Sequence, residues 1–164
     1  MPWRRHNSGL IGIDIGARQV RAVQMSDRQG GCAVSAAGCA ALPAGRERDP
    51  VTQRQAIADL LAKHPFKGKR VCVSLPAAAL TFKSVRLPRM PEEELIAAGE
   101  LEVRERFSDM REAVIRVLPA GLVGRTGAEQ YEVIVVAARS DAVTARLKLL
   151  TELGLTVAHL EPPT

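Results

Sequence analysis

The run Leu10-Ile11-Gly12-Ile13-Asp14-Ile15-Gly16 constrains the fold more than any other stretch of this chain. Its β-branched and apolar content is that of a buried strand. It stops on a glycine and turns into a second alternating run, Val20-Arg21-Ala22-Val23-Gln24-Met25. Strands over about 9–15 and 19–26, joined at Gly16-Ala17-Arg18, therefore form a hairpin. The odd residue is Asp14, since a carboxylate between two isoleucines is costly unless amide donors, a cation or water reach it. Two readings stand side by side. Asp14 anchors a turn through its own backbone, or the hairpin is a phosphate-binding one. In the second case backbone N–H groups of the turn cradle a polyphosphate and the carboxylate holds its magnesium through water.

A second turn at Asp27-Arg28-Gln29-Gly30-Gly31 leads to an alanine-rich third strand over Cys32–Leu42, which completes an antiparallel meander. A charged loop follows, then a helix over about 51–64 with Ile57, Leu60, Leu61 and His64 on one face. Pro65 and Gly68 end it, and Arg70 to Pro76 reads as a short strand apolar at Val71, Val73 and Leu75.

The pattern changes at Pro76. Thr81–Leu87 alternates as a strand with one wet face, and Pro91 opens a helix whose first turn holds Glu92, Glu93 and Glu94. Leu95 or Ile96, then Gly99, Val103 and Phe107, mark its buried stripe; Gly99 implies close packing against a sheet. Strands over about 113–118 and 131–138 flank the glycine-rich stretch Ala120–Gly127, read as a mobile loop because no helix stands behind it to bind phosphate. Ser140 is placed to cap a last helix with Val143, Leu147 and Leu150 on its apolar face. Gly154 ends that helix, and Leu155–Leu160 is a final strand.

Composition narrows the function. The net charge of +5 is scattered over the chain, and the dense basic spots, Arg4-Arg5 and Lys67-Gly68-Lys69-Arg70, lack interleaved aromatics, against a nucleic-acid interface. Cys32, Cys39 and Cys72 have no metal-ligand spacing and form no even disulfide set, which fits a reducing compartment. His6, His64 and His159 stand apart from one another, so spacing supports neither a zinc site nor a catalytic triad. No stretch approaches the roughly 20 apolar residues of a membrane span.

The motif Ile11-Gly12-Ile13-Asp14-Ile15-Gly16 followed by Val20-Arg21-Ala22-Val23 resembles the first phosphate motif of the actin, sugar-kinase and heat-shock-ATPase superfamily. The wider likeness is to the PilM family of type IV pilus assembly. It is carried in collinear order by Gly68-Lys69-Arg70-Val71 with Ser74-Leu75-Pro76, and by Leu87-Pro88 with Met90-Pro91-Glu92-Glu93-Glu94-Leu95. Val135-Val136-Ala137-Ala138-Arg139 and Leu153-Gly154-Leu155, leading to Glu161-Pro162, complete it. Relatives of that family include FtsA, MshI and the cytoplasmic part of GspL.

The resemblance implies an α/β fold: the N-terminal part of an actin-like (ribonuclease H-like) core with an inserted strand-helix-strand-strand subdomain. On that basis residues 1–8 are a basic arm, 9–76 the first part of the core, 77–138 the insert and 139–164 a helix and strand returning towards the core. It implies a cytoplasmic protein, peripheral at the inner membrane through its partners and open to oligomerisation. In PilM-like proteins the groove between core and insert receives a short N-terminal peptide of the membrane protein PilN. The phosphate site it implies comprises Gly12, Asp14, Gly16, Ala17, Arg18, Gln19 and Arg21, with ATP as ligand and Asp14 on magnesium through water.

Two departures qualify this site. Small hydroxyl residues and a lysine usually follow Gly16 in the family, where this chain has Ala17, Arg18, Gln19 and Arg21. Arg18 offers a guanidinium to a phosphate in their place. The second phosphate hairpin, the adenosine pocket and the opposite lobe that the resemblance implies have no counterpart in these 164 residues. The expectation is a partner-binding module, with an ATP-binding or ATP-hydrolysing protein, or a secretion or cell-division homologue, as the alternatives.

Overall fold

The computed structural model describes residues 9–28, 31–106, 112–124 and 129–162. Along the chain run β1 (Ile11–Ile15), β2 (Gln19–Arg28), β3 (Gly31–Ala41), α1 (Pro50–Lys63), β4 (Arg70–Ser74) and β5 (Leu80–Leu87). They are followed by α2 (Glu92–Arg106), β6 (Ala113–Val123), β7 (Gln130–Arg139), α3 (Ser140–Thr151) and β8 (Thr156–Glu161). The chain divides into two compact units, Met1–Pro76 with Ala145–Thr164, and Ala77–Thr144. The basic arm 1–8 lies outside the described residues, as does Phe107.

In the first unit β1, β2 and β3 form the expected antiparallel meander, and β4 pairs parallel to β1 and to β8. The strand order is β3-β2-β1-β4-β8. Ile11, Ile13 and Ile15 point to one face, where they join Val20, Val71 and Val73, with Ile57 and Leu60 of α1 and Leu149 and Leu150 of α3, in a single core. Each such side chain, taken fully out of water, contributes about 1.5–3 kcal/mol. The period of two then sends Gly12 and Asp14 to the opposite face.

Helix α1 begins one residue earlier than expected because Asp49 caps it. Its carboxylate accepts from the Thr52 amide at 3.0 Å and the Thr52 hydroxyl at 2.6 Å, and Pro50 fills the first helical position. His64 is the C-cap, its ring edge-on to Phe66 at 6.2 Å. The ring lies over Gly38 of β3, where an added Cβ would stand 2.6 Å from it. His64 is thus a packing residue of the helix end.

In the second unit the sheet order is β5-β7-β6, all antiparallel, and α2 covers one face. Val85, Leu87, Ile115, Val117, Val133 and Val135 meet Leu95 and Val103 of α2 there. Gly99 sits where the helix comes nearest the sheet, since a Cβ on it would lie 2.9 Å from Val117 Cγ1. The expectation of close packing at this glycine holds.

Three expectations are corrected. β6 continues through Ala120–Val123, pairing Gly121 with Glu132 and Leu122 with Tyr131, so that half of the glycine-rich stretch is strand. A register shift between Pro119 and Gly121 accommodates the glycine at φ 135°. Residues 125–127 of that stretch lie outside the described residues. Ser140 does not cap α3: its hydroxyl donates to the Glu112 carbonyl, and Asp141 accepts from the Ala142 amide. The buried side of α3 is Arg146, Leu149 and Leu150, while Leu147 is exposed. Gly154 closes the helix as expected, at φ 69°, with the Leu155 amide donating to the Leu150 carbonyl.

Candidate functional site

The β1–β2 hairpin is closed by the Gly16 amide, which donates to the Gln19 carbonyl at 3.0 Å. Ala17 and Arg18 form its exposed tip, and neither has a positive φ. The Arg18 carbonyl accepts from the Leu42 amide at 2.8 Å, which fixes the tip to the chain leaving β3. Among the described residues no acceptor takes the amides of Ala17 and Arg18, so water or a ligand satisfies them.

Asp14 sits directly across from Arg21 in the β1–β2 register. Its Oδ1 accepts from the Ser74 hydroxyl at 2.8 Å, and its Oδ2 lies 3.9 Å from Arg21 Nη1. Arg21 is steadied in turn by Gln19. With its amide oxygen facing the guanidinium, Gln19 accepts from Arg21 Nε at 2.7 Å and Nη2 at 2.6 Å. A second cation, Arg146 on α3, feels the charge of the same carboxylate. Arg146 is 9% exposed, beside Leu149 and Leu150, and among the described residues no carboxylate comes within ion-pair distance of it. Burial pushes its guanidinium below the ordinary arginine value, and the Asp14 charge draws it back up. It remains protonated at any working pH.

Of the residues expected from sequence, Asp14, Gly16, Ala17, Arg18, Gln19 and Arg21 are gathered in this one hairpin. Gly12 stands further back along β1, opposite Val23, with room for no more than ordinary contact to it. The Arg18 charge also acts on Glu47, whose carboxyl is held below the usual range mainly by backbone amides of Glu47 itself and Gly45. Ser74 and Arg146 were not read from sequence as parts of the site. Parallel pairing of β1 with β4 places Ser74 beside Asp14, and the spacing of Arg146 with Leu149 and Leu150 marks it as inward-facing.

The chemistry of the cluster is that of an anion site. Two free amides stand at the tip, and the Arg21 guanidinium faces a single carboxylate, which already receives a hydroxyl hydrogen bond. To the magnesium ion that the resemblance implies, the hairpin would offer the single carboxylate of Asp14, already bonded to Ser74 and facing Arg21, with the remaining oxygens left to phosphate and water. Among the described residues no group of three histidine, cysteine or carboxylate side chains is placed to hold a metal ion.

A meander of three strands, a helix and a parallel strand, with a carboxylate in the first hairpin and a separate sheet placed before the final parallel strand, defines an actin-like core bearing an insertion. Residues 12–161 match the family described as type IV pilus assembly protein PilM. The chain belongs to that family. Among solved structures it is similar to a chain of the PilM–PilN type IV pilus biogenesis complex, with a TM-score of 0.78 and 25% identity. That match covers 93% of this chain and 47% of the other. It also shares its fold with the cytoplasmic domain of EpsL, an inner-membrane component of the type II secretion system of Vibrio cholerae, with a TM-score of 0.61 and 17% identity. There 93% of this chain and 56% of that one are covered. The chain therefore spans about half the length of these relatives. A search of curated protein sequences returns no match. No described helix is long and apolar enough to cross a membrane.

Proposed function

We propose that this chain is a scaffold component of type IV pilus biogenesis that binds the N-terminal segment of a PilN-like inner-membrane protein. It works at the cytoplasmic side, peripheral to the membrane and attached through that partner. The observation that carries this reading is the likeness, over 93% of the chain, to a chain of a PilM–PilN complex. Co-expression with the cytosolic segment of a PilN-like protein tests it. The two should co-elute from a sizing column in a defined ratio, and separate elution of a folded chain would refute it.

A second reading is favoured by the hairpin. Its free tip amides and flanking guanidiniums suit the phosphates of a nucleotide such as ATP, held through Gly16, Ala17, Arg18, Gln19 and Arg21. Hydrolysis would require a residue that positions the attacking water, and none of the groups gathered here has that role. This reading is one of binding alone, without turnover.

A further inference from the structure

We propose that the free edge of β3 pairs antiparallel with β3 of a second copy of this chain, around a two-fold axis at Cys39. The sheets of the two copies then run on as one. Such pairing is independent of the partner-binding and nucleotide readings.

Each sheet has two edge strands, β3 and β8 in the first unit and β5 and β6 in the second. An open edge offers unpaired N–H and C=O groups to any other strand, and charge, proline or a bulge discourages that contact. β5 carries Lys83 and Arg86, β6 carries Arg116 and Pro119, and β8 carries Glu161. β3 is 11 residues long and has neither a charged residue nor a proline. Its one such device is the bulge opposite Gln24 and Met25, which lies before Ala36. The run from Ala36 to Ala41 beyond that bulge is left unprotected.

The register decides which backbone groups are free. The Leu42 amide donates to the Arg18 carbonyl at 2.8 Å, so these two residues face each other as a hydrogen-bonded pair. Bonded pairs alternate along an antiparallel ladder. The backbone groups of Ala36, Gly38 and Ala40 therefore turn towards β2, and those of Ala37, Cys39 and Ala41 turn outwards. Among the described residues no strand lies on that outer side. The side chains of Ala37, Cys39 and Ala41 are exposed on the face opposite α1, whose end packs over Gly38.

This outward set is its own complement. With Cys39 facing Cys39 of the second copy, Ala37 faces Ala41 and Ala41 faces Ala37, and each facing pair exchanges two backbone hydrogen bonds. The run holds no charge to be repeated across the axis, and none of its side chains is larger than cysteine. The chain as a whole carries +5, so two copies approach most easily where neither bears charge.

Sedimentation equilibrium of the full chain should show the mass rising from monomer to dimer with concentration. Ala37→Pro removes an amide that points away from β2, so it should abolish the dimer and leave the far-ultraviolet circular dichroism unchanged. Should that variant fail to fold, the double variants Ala37→Lys/Ala41→Lys and Ala37→Glu/Ala41→Glu give the same readout at exposed positions. Each should be monomeric alone, because like charges face each other across the axis, and an equimolar mixture of the two should regain the dimer.

The register is read with a short bismaleimide, since the facing Cα atoms of a bonded pair are about 5.5 Å apart. It should link two copies in the wild type and in Cys32→Ser, and fail to do so in Cys39→Ser. A chain that stays monomeric up to about 1 mM would overturn the proposal and leave the edge to a strand of another protein. A dimer that survives Ala37→Pro or the charged variants, a mixture of those variants that stays monomeric, or cross-linking that requires Cys32 in place of Cys39 would overturn it as well.

Discussion

Gly99 offers a prediction whose sign depends on one neighbour. Alanine in place of glycine within an exposed helix interior stabilises by about 1 kcal/mol. Here the new Cβ would stand 2.9 Å from Val117 Cγ1 and 3.3 Å from Cγ2, both in the core between α2 and its sheet. Val117 is 7% exposed and β-branched, so it has little freedom to rotate aside. Overpacking of this kind costs about 1–3 kcal/mol, enough to cancel or reverse the propensity gain. Gly99→Ala alone should therefore destabilise by up to about 2 kcal/mol. In a Val117→Ala background both methyls are gone and the nearest Val117 atom to the new Cβ is its own Cβ, at 3.7 Å, an ordinary contact. The same substitution should then stabilise by up to about 1 kcal/mol, giving a coupling of roughly 1–3 kcal/mol between the sites. Urea unfolding of the four proteins of this cycle measures the coupling. An additive cycle, with Gly99→Ala stabilising in both backgrounds, would refute the packing argument.

Gln24→Ala should destabilise by about 2–4 kcal/mol in the same assay, because the buried amide donates to the Gly9 and Lys67 carbonyls and accepts from the Lys67 amide. A loss below about 0.5 kcal/mol would contradict that role. Gly38→Ala places a Cβ 2.6 Å from the His64 ring and 2.9 Å from Leu60, so it should lower the melting temperature, whereas His64→Ala in addition should recover part of the loss. The Asp49 carboxyl is held below the usual range by the Thr52 hydroxyl and then the Thr52 amide. Its folded value is depressed, so its contribution to α1 is present above the ordinary carboxylate value and is lost as pH falls through the folded one. Helical circular dichroism against pH should show that loss in the wild type, and an identical profile in Asp49→Asn would contradict it.

The outline of the fold was legible because local pattern and long-range pairing agree over most of the chain. β1 and β2 alternate cleanly around a glycine turn, and α1 repeats its apolar residues at helical spacing. Gly99 announced its contact because a glycine inside a helix is otherwise unfavourable. The misread features are those where a distant partner decides. Gln24 lies on the inner face of β2 between the outward-facing Val23 and Met25, so simple alternation hides it. Only the Lys67 backbone, far along the chain, makes its burial intelligible. Arg146 was passed over for Val143 and Leu147 because hydropathy favours the aliphatic residues. The structure instead buries the arginine beside Leu149 and Leu150. Half of the glycine-rich stretch became strand because pairing with β7 outweighed weak local propensity. Within the hairpin, sequence supplied the carboxylate and the turn, but the Ser74 contact depends on which strand lies beside β1.

The most direct test of the pilus-assembly reading is isothermal titration of the folded chain with a synthetic peptide of the cytosolic N-terminus of a PilN-like protein, alongside a scrambled peptide of the same composition. Saturable one-to-one binding of the native peptide is expected, and none of the scrambled one. Equal heats for both peptides, or no saturation with the native one, would contradict it.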